Sequence, residues 1–226
     1  MGFNIAIDGP AGAGKSSVAR KAALKLGYIY VDTGAMYRCI ALALHRAGTD
    51  IDDEQALEAV LDKITISLSY DEDGTQQVYL NGENVSGLIR TEEVSQMASK
   101  SSAKPAVRNK LTDLQRNLAE KENVLMDGRD IGTVILPNAD LKIYLTASVE
   151  ARAMRRYLEQ KNRGLECSLD EIKNEIIDRD YRDMHRETAP LKCADDAILL
   201  DTSDMSREEV IGRVMELAEE RGAVCR

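Results

Sequence analysis

The 226-residue chain contains two histidines, His45 and His185, and neither lies near a G-x-S-x-G turn, so a hydrolase triad has no support. Its cysteines, Cys39, Cys167, Cys193 and Cys225, are isolated. No C-x-x-C pair occurs and the histidines complete no zinc spacing, which leaves reduced, unpaired thiols. No apolar run reaches bilayer length and no signal-peptide pattern is legible, which predicts a cytoplasmic protein with no membrane contact. Basic excess is missing too. A net charge of −9 argues against general nucleic-acid binding, so any anionic substrate must be held by a local cluster of basic residues. Repeats, low-complexity tracts and a disordered linker are also absent. What remains, 43% hydrophobic and 31% charged, is ordinary soluble globular composition, with length for one core and a small appended lobe.

Residues Gly9 to Ser16 read GPAGAGKS, a match to G-x-x-x-x-G-K-[ST], the loop that wraps nucleotide phosphates. The context fits the letters. Phe3–Ile7 precedes it as a short buried strand, and residues 17–26 follow with apolar side chains at helical spacing: 18, 19, 22, 23 and 26. Glycines let successive N–H groups turn inward, and the helix N-terminus adds its positive dipole end. In such a loop Lys15 reaches the β- and γ-phosphates and the Ser16 hydroxyl ligates Mg²⁺.

Five short apolar runs predict buried parallel strands: Phe3–Ile7, Tyr28–Val31, Val124–Met126, Leu141–Leu145 and Ile198–Leu200. Helical patterns separate them, so an α/β sheet with helices on both faces is expected. Ser168 with Glu171 and Ser206 with Glu209 fit helix-starting capping boxes, and Asp52 with Gln55 offers a third. Residues 63–90 break the alternation with period-two runs on polar turns, Asp71–Gly74 and Asn81-Gly82, which predicts an inserted antiparallel lobe. That lobe is either a surface elaboration or an aid to closing over a second substrate. The stretch Glu150–Arg186 is densely charged, with Arg152, Arg155, Arg156 and Arg163 before a loop and Arg179, Arg182 and Arg186 after it.

Three further segments carry candidate polar groups. Asp32-Thr33-Gly34-Ala35-Met36-Tyr37-Arg38 follows the second strand and opens a helix to about Arg46. Thr33 is either its cap or a site hydroxyl, and Arg38 sits one turn in, on the rim of the phosphate loop. Asp127-Gly128-Arg129-Asp130 follows Val124–Met126, at a strand end where ligands bind in doubly wound sheets. Asp127 is placed to bind Mg²⁺ through water or to brace Ser16. Arg129 offers a planar fork to a phosphate, and Asp130 an acceptor for an amino-bearing base. In Asp178–Arg186 the arginines at 179, 182 and 186 share one helical face. Taken alone that face reads as solvated and laced with weak ion pairs; in an acidic chain it also suits a transferring phosphoryl group.

Together GPAGAGKSS, DTGAMYR, VSGLIR (Val85–Arg90), DGRDIGT with Pro137 beyond, and RDYRDMHR leading to Ala189-Pro190-Leu191 resemble the bacterial cytidylate kinase family, the CMP/dCMP kinases of the type 1 nucleoside monophosphate kinase subfamily. The resemblance covers nearly the whole chain. It implies a P-loop NTPase-type three-layer α/β/α fold with a five-stranded parallel sheet, an inserted antiparallel β lobe and a helical lid. Residues 1–62 and 91–226 would form the kinase core, with the lid within about 150–186, and 63–90 the monophosphate-binding lobe. It further implies ATP-dependent phosphorylation of CMP and dCMP with Mg²⁺, by a monomer. Position by position, Gly9, Pro10, Ala11, Gly12, Ala13, Gly14, Lys15, Ser16 and Ser17 hold ATP, and Ser16 and Asp127 serve the metal. Thr33, Arg38 and Arg129 hold the acceptor phosphate; Ser99, Arg108 and Asp130 face cytosine; Arg179 and Asp183 contact the sugar. Lys15, Arg129, the lid residue Arg182 and Arg186 act on the transferring group. Ser99 and Arg108 rest on the resemblance alone, and Thr33 stands where some members carry Ser.

Overall fold

The computed structural model describes residues 2–224, so Cys225 lies outside the described residues. Five strands form one parallel sheet: β1 (Asn4–Asp8), β2 (Ile29–Asp32), β6 (Val124–Asp127), β7 (Leu141–Thr146) and β8 (Ile198–Asp201), in the order β2-β6-β1-β7-β8. Alternation along β1 explains the layers. Ile5 and Ile7 face one side with Leu125, Leu141, Ile143 and Leu145, against helices α1 (Lys15–Leu26) and α8 (Arg207–Glu220). Ala6 faces the other side with Val31, Val124 and Met126, beneath α2 (Thr33–Ala47), α4 (Glu92–Ser101) and α5 (Pro105–Lys121). The three-layer α/β/α architecture expected from the sequence is therefore present.

The insertion is a three-stranded antiparallel meander, β3 (Ile66–Tyr70), β4 (Gln76–Leu80) and β5 (Glu83–Asn84). Val78 and Leu80 turn inward onto the α2 side of the core. The Gln76 amide clasps Asp32 by both backbone groups, accepting from its N–H at 2.9 Å and donating to its carbonyl at 3.2 Å. This clasp joins β4 to the end of β2. Two helices, α6 (Val149–Asn162) and α7 (Leu169–His185), pack on each other through Ala153, Ile172 and Ile176, apart from the main core.

Helix starts follow their caps. Ser206 forms the full reciprocal box with Glu209, and Ser168 accepts from the Glu171 N–H. At α3 (Glu54–Leu61) the cap is Asp53, which accepts from the Ala56 N–H at 3.0 Å, and not Asp52. Asp52 instead pairs with Lys104 at 2.6 Å.

Candidate active site

Three neighbouring strands end in aspartates: Asp8 on β1, Asp127 on β6 and Asp32 on β2, with Asp127 beside both Ile7 and Asp32 in register. Loops leaving the carboxyl ends of a parallel sheet line its crevice. Here that crevice is a cleft of about 800 Å³ running from Ala11–Ser17 to Asp127–Asp130.

The donor side begins at Gly9, whose φ of +147° brings the chain against β7. A Cβ there would stand 2.0 Å from the Leu145 carbonyl oxygen. Gly14, left-handed at φ 89°, opens α1 without a side chain over its first N–H groups. The Lys15 ammonium is buried and donates to the carbonyls of Gly9 (2.7 Å) and Pro10 (2.8 Å). Burial, reinforced by the charge of Arg129, holds its pKa well below the ordinary lysine value. The Ser16 hydroxyl donates to Asp127 Oδ2 at 2.8 Å and the Tyr30 hydroxyl to Asp127 Oδ1 at 2.9 Å. Burial, then the neighbouring Asp32 charge, pushes Asp127 up, with Lys15 and the two hydroxyl donors pulling the other way. Ser16 and Asp127 thus present adjacent hard oxygens at the loop, the donor type that suits Mg²⁺.

On the acceptor side, Asp32 caps α2 through the Ala35 N–H at 2.9 Å, so Thr33 is not the cap. The buried Thr33 hydroxyl donates to the Asp127 carbonyl at 2.8 Å. Gly128 fits here because a Cβ would lie 2.9 Å from Thr33 Oγ1 and 2.7 Å from Ile131 Cδ1. Arg129 Nε donates to Asp183 Oδ2 at 2.8 Å. Asp130 accepts from Arg108 through Oδ2 and from Arg186 through Oδ1 at 3.3 Å. The next residues form a π-helical turn, Ile131–Ile135, anchored by Asp8, which accepts from the N–H groups of Ile131 (2.8 Å) and Gly132 (2.7 Å).

The remaining expected residues divide. Arg38, Ser99, Arg179, Asp183 and Arg186 line the cleft; the buried Ser99 hydroxyl and Arg179 Nε make no hydrogen bond within the protein. Burial lowers Arg179 to about 10. Arg108 is buried behind Asp130, its guanidinium 5.6 Å from the Tyr37 ring centroid. Arg182 is exposed and does not line the cleft. On α7 the residues lining the cleft are Arg179 and Asp183, with Arg186 just past the helix end at His185 in extended conformation (φ −66°, ψ 141°), whereas Arg182 is turned out to solvent.

Several lining residues were not singled out in sequence. Tyr30 lies within β2, a strand that read as purely structural, and Arg90 closes the VSGLIR run without a spacing that marks it. Arg156 and Arg163 had appeared as members of a charged stretch. Asp8, which anchors the π-helical turn without lining the cleft, stands one residue before the glycine loop; a carboxylate ending an apolar strand was the available signal.

A glycine loop opening a helix, a serine–aspartate pair beside it and an arginine-lined cleft define a P-loop phosphotransferase. The family model for cytidylate kinase matches residues 5–220, and the chain belongs to that family. It is 49% identical over 219 residues to the cytidylate kinase of Lactobacillus johnsonii, covering 97% of this chain and 95% of that protein. The cytidylate kinase of Geobacillus sp. is 50% identical over 219 residues, with 97% of each chain covered. A solved shikimate kinase from Acinetobacter baumannii aligns with 98% of this chain and 96% of its own at 18% identity, with a TM-score of 0.49.

Proposed function

We propose that this protein transfers the γ-phosphoryl group of ATP to CMP and dCMP, giving ADP with CDP or dCDP. The observation that carries the reading is the Asp127–Asp130 turn. One end binds Ser16 of the donor loop and the other binds Arg186 on the acceptor side, all four side chains lining a single cleft, with Arg108 bonded to Asp130 from behind. Family membership supplies the acceptor class.

In this reading Gly9–Ser17 cradle the triphosphate, while Ser16 and Asp127 hold Mg²⁺, which when bound would offset charge between the phosphates. Thr33, Arg38 and Arg129 hold the acceptor phosphate, and Arg179 and Asp183 the sugar. Ser99, Arg108 and Asp130 face the base: a buried carboxylate accepts from the exocyclic amine of cytosine and repels the carbonyl uracil presents there. An oxygen of the acceptor phosphate forms the new P–O bond as the β–γ bridging bond breaks. That oxygen is already anionic, so no side chain need act as a strong base. The transition state is loose, and the protein's task is positioning and neutralisation by Lys15, Arg129 and Arg186, with Arg182 brought in by movement of a lid within about 150–186. Residues 63–90 act as the monophosphate lobe beside a core of 1–62 and 91–226, and the enzyme works as a cytoplasmic monomer.

An ADP-release assay with CMP, dCMP, UMP, AMP and no acceptor tests this. Turnover with CMP and dCMP well above the other three is expected. Equal rates with AMP, or ADP release independent of any acceptor, would overturn it.

A further inference from the structure

Helix α7 reaches both halves of the cleft one turn apart. Asp183 accepts from Arg129 on the acceptor side, and Asp180 reaches the donor loop. The Ala11 N–H donates to Asp180 Oδ1 at 3.2 Å, and the Ala11 carbonyl accepts from Arg152 Nη1, on α6, at 2.8 Å. Arg152 and Asp180 are themselves paired at 2.6 Å and both are buried, 4% and 8% exposed. Arg152 Nε also donates to the Ala147 carbonyl at 2.9 Å, which fixes the guanidinium plane. The next residue, Gly12, takes a left-handed φ of +74°, and a Cβ on it would lie 3.3 Å from Arg152 Cβ. A buried ion pair gains little stability over apolar side chains of the same shape. Holding the loop backbone gives this pair a purpose that stability does not.

We propose that Arg152 and Asp180 are positioning residues for the donor loop. The paired charges grip Ala11 by both of its backbone polar groups, so the loop's amides are set for a triphosphate before it arrives. The inference rests on the reading that ATP occupies this loop. A second ion pair, Lys173–Glu150 at 2.7 Å, also joins α7 to α6, but it is exposed and touches no loop residue, which makes it the natural control.

The double variant Arg152→Met/Asp180→Leu removes the grip without stranding a buried charge. In the folded variant KM for ATP should rise about tenfold while KM for CMP stays within about twofold, the size expected from losing one or two hydrogen bonds. Amide exchange at Ala11–Gly14 in the nucleotide-free chain should quicken while β1 and β6 keep their protection. Asp180→Asn keeps an oxygen for Ala11 and should fall between; should the double variant not fold, it carries the same test. Lys173→Met should move neither readout. An unchanged KM for ATP, equal rises for both substrates, or unchanged loop exchange overturns the proposal. A wild-type chain that phosphorylates no nucleotide would instead sink the CMP kinase reading, and the exchange measurement would still decide the grip.

Discussion

Replacing Asp130 by Asn removes one charge from a carboxylate that two arginines share. Arg108 and Asp130 are each 4% exposed, and the Arg186 guanidinium lies 3.3 Å from the other oxygen. Asparagine has one carbonyl oxygen. Turned toward the deeply buried Arg108, it leaves its amide NH₂ facing Arg186, donor against donor. Deleting one partner of a buried pair costs about 3–5 kcal/mol, and Asn, which keeps shape and one acceptor, should fall near the lower figure. For a chain of this size that corresponds to a fall in Tm of about 6–12 °C. The kinetic effect is more specific. A hydrogen bond from the cytosine amine to a charged acceptor is worth about 1.5–3 kcal/mol, so the CMP/UMP ratio of kcat/KM should shrink by about 10- to 150-fold. KM for ATP should stay within about twofold, because Asp130 bonds to no residue of the donor loop. Coupled ADP release with both pyrimidine nucleotides, beside a thermal melt, measures both. A folded variant with an unchanged ratio would refute the role given to Asp130.

Lys15→Ala should lower kcat about 10²- to 10³-fold with the melt preserved, and full activity in a folded variant would remove Lys15 from the mechanism. Arg186→Ala should lower kcat about tenfold or more while sparing CMP affinity, since it serves the transferring group; weak CMP binding at normal kcat would make it an acceptor-binding residue instead. Burial raises the Asp8 pKa from 3.8 to about 6 against the pull of the Gly132 and Ile131 N–H groups. The folded state therefore holds a proton that the unfolded state releases between those values. Asp8's contribution is full below pH 3.8 and declines by about 3 kcal/mol as pH rises through 6. The stability difference between wild type and Asp8→Asn should accordingly shift in favour of the variant from pH 4 to pH 7, and a difference flat with pH would contradict this origin.

The sheet was legible because buried parallel strands are short and apolar and each is bounded by a helical pattern; Phe3–Ile7 and Leu141–Leu145 are such runs. The donor loop was legible because its chemistry is local, eight residues whose backbone does the binding. Partnerships spanning the chain were hidden. That Asp130 shares its carboxylate between Arg108 and Arg186, or that Asp8 anchors a turn more than a hundred residues away, depends on strand order, which no spacing encodes. Arg182 was grouped with Arg179 because residues three apart on a helix lie near one face, but that spacing falls about 60° to one side, and the cleft lies toward the other, where Asp183 stands. Asp52 was chosen over Asp53 for a related reason: adjacent aspartates offer the same capping chemistry, and packing of Leu57 and Leu61 selects the frame.

Eight arginines and one lysine line the cleft against five acids, in a molecule whose formal charge is −9. The outer surface is therefore more acidic than the whole, and the cavity has the opposite sign. An incoming polyanion meets a repulsive far field and an attractive near one, with the field of exposed charges screened over the roughly 8 Å Debye length of physiological salt. Raising ionic strength weakens the outer barrier first, so nucleotide capture should slow far less with added salt than in a uniformly cationic phosphate binder.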